Sequence, residues 1–166
     1  MKGLAYVVCL RLGRLSGFPD LYTLWFEDIE GRSVVVADGA RISWVGSEAA
    51  ARALDSDSTS LTISEDPAVL YDVVESIEDL LHFREGAEMR VLNCLNFLDD
   101  LVLQLGTDLP SELDVVMIQT VRHLTEGESL TELFNAVGGA SRVLALMYAY
   151  VGCVLTQSSF AFTSSD

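Results

Sequence analysis

Four groups of residues in this chain have types and spacings that could do chemistry. Asp79-x-x-His82 has the helical spacing of a metal-ligand pair, with Asp99, Asp100 and His123 as candidates to complete it. Di-metal carboxylate bundles, however, need a Glu-x-x-His motif from each of two helices plus further Glu residues, and only one half-motif is present. Cys94 would need a histidine and an asparagine, and a turn to present it, to act as a thiol nucleophile. It lies instead in an apolar run, where a thiol has a raised pKa and is inert. Asp72, Glu75 and Asp79 repeat at three- and four-residue steps, the pattern of a like-charged helix stripe. Asn93, Asn96 and Asp100, with Asp99 beside them, draw a narrow polar line along an otherwise apolar segment. Gly-x-Ser-x-Gly, the phosphate loop and the dinucleotide fingerprint are all missing from the sequence. These patterns point to recognition by charge and hydrogen bonds, with no catalytic residue, metal ligand or cofactor assigned.

The segment that must position the polar line is Glu88 to Gly106. Val91, Leu92, Leu95, Leu98, Leu101, Val102 and Leu105 recur at helical steps, and Met89, Phe97 and Leu103 fall off that stripe. The spacing predicts a helix apolar around most of its circumference and therefore buried. Asn93, Asn96 and Asp100 would then need hydrogen-bond partners inside the protein or from a docked partner. Before it, residues 68–85 predict a helix starting at Asp66-Pro67, with Asp72, Glu75, Ser76, Asp79 and His82 facing water. After it come helices over about 110–126, 129–138 and 140–156. Ser129 and Glu132 match a capping box, in which each side chain bonds the other's backbone N–H.

The first part of the chain reads differently. Residues 4–12, 21–29, 33–37 and 40–45 predict four antiparallel strands, with a hairpin at Asp38-Gly39. Ser47 caps a short helix to about residue 54, and residues 61–63 suggest a short strand. Strands followed by helices predict an α+β fold: an N-terminal antiparallel meander packed against four to five C-terminal helices. The expected organisation is one domain over 1–166, mainly β over 1–63 and mainly α over 66–157, with a frayed tail over 158–166.

Composition narrows the function classes. The chain has 166 residues, half of them hydrophobic, and a net charge of −15. Such a charge repels nucleic-acid phosphates and anionic lipid and attracts basic partners. Residues 1–54 are neutral overall, whereas residues 55–114 hold fifteen acids against Arg84 and Arg90. Cys9, Cys94 and Cys153 are odd in number, widely spaced and set among apolar neighbours, as reduced thiols in the cytoplasm are. Arg11 and Arg14 interrupt the first apolar run, unlike a signal peptide. The most apolar run, Val143 to Leu155, is thirteen residues long, too short to span a bilayer.

A small, acidic α+β chain without a catalytic signature resembles bacterial immunity proteins of polymorphic toxin systems. LNCLNFLDDL, Leu92 to Leu101, is similar to a helical segment met in such proteins. The resemblance implies a toxin inhibitor that binds one cognate toxin domain and blocks its active site or its access to substrate. With the charge, it makes Asp72, Glu75, Asp79, Asn93, Asn96, Asp99 and Asp100 the expected contacts with a basic protein partner. The alternatives are a chaperone or adaptor for a secreted effector, and an enzyme with a site near Asn93, Asp99, Asp100 and His123.

Overall fold

The computed structural model describes residues 4–13, 19–28, 30–38, 40–54 and 61–161. The chain has an α+β fold, and its contacts group it into two compact units. One comprises Met1–Asp72 with Gln157–Asp166; the other is Val73–Thr156.

In the first unit, β1 (Leu4–Arg11) pairs antiparallel with β2 (Leu21–Glu27), from Ala5 opposite Phe26 to Leu10 opposite Leu21. The other side of β2 is shared by β3 (Ser33–Val35) and, at Tyr22 opposite Val45, by β5 (Arg41–Val45). Asp28 makes the β2–β3 turn, where one of its carboxylate oxygens accepts from the backbone N–H groups of Glu30 and Arg32. β4 (Ala37–Asp38) pairs with β5 as the expected hairpin, with Asp38 opposite Arg41. Gly39 of that turn lies outside the described residues, as do Phe18 and the 55–60 connector. Helix α1 (Glu48–Arg52) starts where Ser47 accepts from the Ala50 N–H. Its Ala51 packs into a core of Val7, Leu24 and Val45.

The expected all-antiparallel meander is corrected to a mixed sheet. β6 (Thr62–Ile63) and β7 (Val69–Asp72) both run parallel to β1, and β8 (Ser158–Ala161) runs parallel to β5. Two of these strands fall where other structure was expected. Residues 69–72 are a strand and not the first turn of a helix, because their backbone groups join the ladder on Val8–Arg11. Just upstream, Arg52 donates to the carbonyls of Ser64 and Asp66 and holds the approach in a non-helical course. Residues 158–161 are ordered as a strand, where a frayed tail was expected; 162–166 lie outside the described residues. The Trp44 indole N–H donates to Ser158 Oγ at 2.8 Å, both side chains being buried.

The second unit is helical: α2 (Val73–His82), α3 (Glu88–Gln104), α4 (Ser111–Thr125), α5 (Leu130–Val137) and α6 (Ala140–Thr156). The capping box at Ser129 and Glu132 forms as the sequence predicts. Gly138 closes α5 in the left-handed conformation, φ 85°, and both Gly138 and Gly139 donate to the Phe134 carbonyl. The organising helix is α6, which packs on α2, α3, α4 and α5 through Val143, Leu146, Met147, Tyr150 and Val154. Among the described residues no single helix is long and apolar enough to cross a membrane. Only α5 and α6 taken together pass on length and composition, and they are bent by 88°.

Ser158→Ala strands the buried Trp44 N–H without its acceptor. The expected cost is about 2 kcal/mol, read as a lower urea midpoint with tryptophan emission as the probe. An unchanged midpoint would mean that β8 contributes through its backbone alone.

Candidate functional site

The acidic residues singled out by spacing do not form one solvated stripe. Asp72 belongs to β7, where Arg11 bridges it at 3.4 Å while gripping Asp20 at 2.9 Å. Glu75 and Asp79 belong to α2. Asp79 has 0% exposure, so the expected contact between this carboxylate and a partner is corrected: it is an interior group. Arg84, in the loop after α2, approaches Asp79 Oδ1 at 3.3 Å, and Arg90, in the first turn of α3, approaches Oδ2 at 3.0 Å. Arg90 Nε does not aim its hydrogen at Oδ2, so that contact acts as an ion pair and not as an aligned hydrogen bond. Arg90 also pairs with Glu75, and Arg84 lies 3.9 Å from Glu78.

The physical reason is local. Val73, Ser76, Ile77 and Leu80 form the buried face of α2, and Asp79 sits beside Leu80 on its margin. A buried carboxylate must be paired, and the two arginines that follow it in the chain are within reach. The chain turns sharply between them: Phe83 takes φ 51°, unusual for a bulky residue, and the Arg84 N–H donates to the Asp79 carbonyl. The half-exposed Phe83 ring meets Phe134 edge-on, centroids 5.0 Å apart.

The polar line of α3 divides between solvent and interior. Asn93 and Asn96 are exposed, so they face water and need no internal partner. Asp100 is half-buried, and Asp99, half-buried too, accepts from the Tyr150 hydroxyl of α6 at 2.7 Å. Burial, then the Asp99 hydrogen bond and the charges of Asp99 and Asp114, push that hydroxyl well above its ordinary pKa. It is a fixed donor and no base. Asp99 and Tyr150 thus tie α3 to α6 through one hydrogen bond.

The remaining candidates point elsewhere. His123 Nδ1 lies 2.6 Å from Glu128, and His82 is exposed. Among the described residues no three His, Cys, Asp or Glu side chains converge as metal ligands would. The three cysteines form no disulfide, with Cys9 and Cys94 buried and Cys153 half-buried. Burial, with Asp20 adding, pushes the Cys9 thiol up to about 11, so it stays protonated at neutral pH.

One apolar surface feature is set by packing and not by helical spacing. Leu103 on α3 is 68% exposed, and Val115 and Ile118 on α4 are 53% and 68% exposed. Their composition reads as core, and only packing shows otherwise.

No protein-family model matches the chain, and no curated protein matches it. The fold is similar to that of the C-terminal domain of SatS, whose crystal structure was solved in complex with bromine. The TM-score is 0.61 over 95% of this chain and 94% of that one, at 14% sequence identity. The likeness is one of fold alone.

Two outcomes follow from this geometry. Arg90→Ala leaves the unexposed Asp79 with Arg84 only and is expected to cost about 3 kcal/mol in urea unfolding. Asp79→Asn is expected to cost less, about 2 kcal/mol, because both arginines it releases stay half-exposed to water. The reverse ordering would show that the buried carboxylate is not the group at stake.

Tyr150 supplies a pH signature. Its folded pKa lies above the unfolded value near 10, so its contribution to stability is full below about pH 10 and is lost as pH rises further. Tyr150→Phe should lower stability at pH 7 by about 1 kcal/mol yet flatten the decline above pH 10, followed by circular dichroism. An equal decline in both proteins would contradict the assignment.

Proposed function

We propose that this chain is a non-catalytic binding protein of the bacterial cytoplasm, an immunity protein that neutralises a basic toxin domain by covering it. One observation carries the reading. The helical unit holds thirteen acidic side chains and four arginines, and every one of those arginines is engaged within the unit. Arg84 and Arg90 hold Asp79, Arg122 pairs with Glu126, and Arg142 donates to the Val137 carbonyl that ends α5. The unit's surplus carboxylates therefore exceed its cations and favour a partner that brings its own. Glu75, Asn93, Asn96, Asp99 and Asp100 remain candidate contacts, while Asp79 supports the surface from beneath and Asp72 is held by Arg11.

A second reading has its own support. The exposed Leu103, Val115 and Ile118 suit a chaperone or adaptor that shields an apolar segment of a secreted effector.

The test is affinity capture from the native cell, identification by mass spectrometry and co-expression of the captured protein. A basic toxin domain whose growth arrest is relieved by this chain supports the immunity reading. A captured exported protein, bound only before it folds, supports the chaperone. For either partner, the association rate should fall about ten-fold or more between low and high salt while dissociation changes little. A salt-independent association rate would remove the electrostatic basis of the proposal.

A further inference from the structure

We propose that the outer face of α4, together with the end of α3, is a docking surface for a cationic amphipathic helix. The inference rests on the reading of the protein as a binder of a basic partner, and it names the element that the partner presents.

Three observations converge. Val115 and Ile118 lie one helical turn apart on α4 and are both more than half exposed, so their side chains are neighbours on one face. Leu103, equally exposed, lies in the last turn of α3, which packs on α4 and joins it through residues 105–110. Between Arg90 and Arg122 the sequence has Asp99, Asp100, Asp108, Glu112 and Asp114 and no basic residue, and Arg122, one turn beyond Ile118, is paired with Glu126. Asp108, Glu112 and Asp114 are exposed and make no ion pair with a cation among the described residues.

An exposed apolar pair on α4 set among carboxylates selects its occupant. Nucleic acid and anionic lipid are repelled by these carboxylates, and a second copy of this chain brings the same sign of charge. An amphipathic helix with Leu or Ile at successive turns and Lys or Arg on its flanks satisfies both features. Its apolar stripe covers Val115, Ile118 and Leu103, and its flanking cations meet Asp108 and Glu112. The apolar contact supplies residence, and the charges supply encounter rate and orientation.

The probe is a fluorescent eighteen-residue Leu/Lys peptide patterned as an amphipathic helix, titrated into the full chain by anisotropy. Three control peptides accompany it: the same composition scrambled to destroy the amphipathic pattern, a version kept extended by prolines, and a Leu/Glu version. The patterned peptide should bind about ten-fold tighter than each control. Val115→Ser with Ile118→Ser should weaken it about ten-fold or more, mainly through dissociation. Asp108→Asn with Glu112→Gln should slow association several-fold and weaken binding less. All four positions are exposed, so circular dichroism and urea midpoints should match the parent. Val69→Ser with Leu70→Ser, at exposed apolar positions of β7, should leave binding unchanged.

Equal binding of the scrambled peptide, or unchanged affinity in the Val115/Ile118 variant, overturns the docking surface. Equal or tighter binding of the extended peptide overturns the helical occupant. A dimer seen by sedimentation and dissolved by the Val115/Ile118 substitutions assigns the face to a second copy and overturns the proposal as well. If the patterned peptide fails to bind while a basic protein is still captured from cells, this inference fails and the reading as a binder of basic partners stands. If the peptide binds at the α4 face but the captured partner is not basic, that broader reading fails instead.

Discussion

A carboxylate with no exposed surface organises the beginning of the helical unit. Asp79 cannot remain charged in the interior alone, since desolvation of a lone carboxylate costs several kcal/mol. Arg84 and Arg90 approach it from two sides, and each belongs to a different segment, the loop after α2 and the first turn of α3. Pairing them with one carboxylate sets where α2 ends and where α3 begins. It also explains the Phe83 backbone, which takes a left-handed conformation so that the chain can reverse and bring Arg84 back over the helix it has just left. The apolar faces of α2 and α3 supply the bulk of the burial. The ion pairs supply register, because sliding either arginine away leaves the buried carboxylate uncompensated.

The sheet unit shows the same economy by other means. Its centre, β1 on β2, is a local antiparallel pair, while the flanking strands arrive from far along the chain. β8 reaches β5 only after the chain has passed through every helix of the other unit, and it brings Ser158 to the buried Trp44 indole. Arg11 joins Asp20, which lies just ahead of β2, to Asp72 at the end of β7, and thereby links neighbours on both sides of β1. In both units, then, arginines are spent on internal acids. Ten basic residues facing twenty-five acidic ones cannot neutralise the remainder, and the surplus stays on the surface as an attraction for cations.

Local chemistry was legible in the sequence wherever one segment decides its own conformation. The Ser47 cap, the Ser129/Glu132 box, the hairpin after Ala37 and the helix ends near Gly106 and Gly138 each depend on residues within one turn of one another. The α+β order of strands and helices was legible for the same reason. The candidate site was legible only in part. Asp99 was marked by its place on a polar line, but Tyr150, which holds it, lies fifty-one residues away and leaves no trace in helical spacing.

What the sequence by itself determined is therefore the charge, the helical periods, the caps and the strand-then-helix order, all set by neighbours in the chain. What only the tertiary structure decided is which face of each element meets water and which distant segment completes it. Residues 69–72 are compatible with either a helix start or a strand, and β1 settles the matter by offering a ladder. Asp79 reads as a water-facing residue and Asn93 as part of a polar line on a buried helix, yet Asp79 is fully buried and Asn93 exposed. Periodicity gives the angle between side chains on a helix, not the direction of the neighbour that covers them. That direction is set by how α6 packs against the other helices, a relation between segments tens of residues apart.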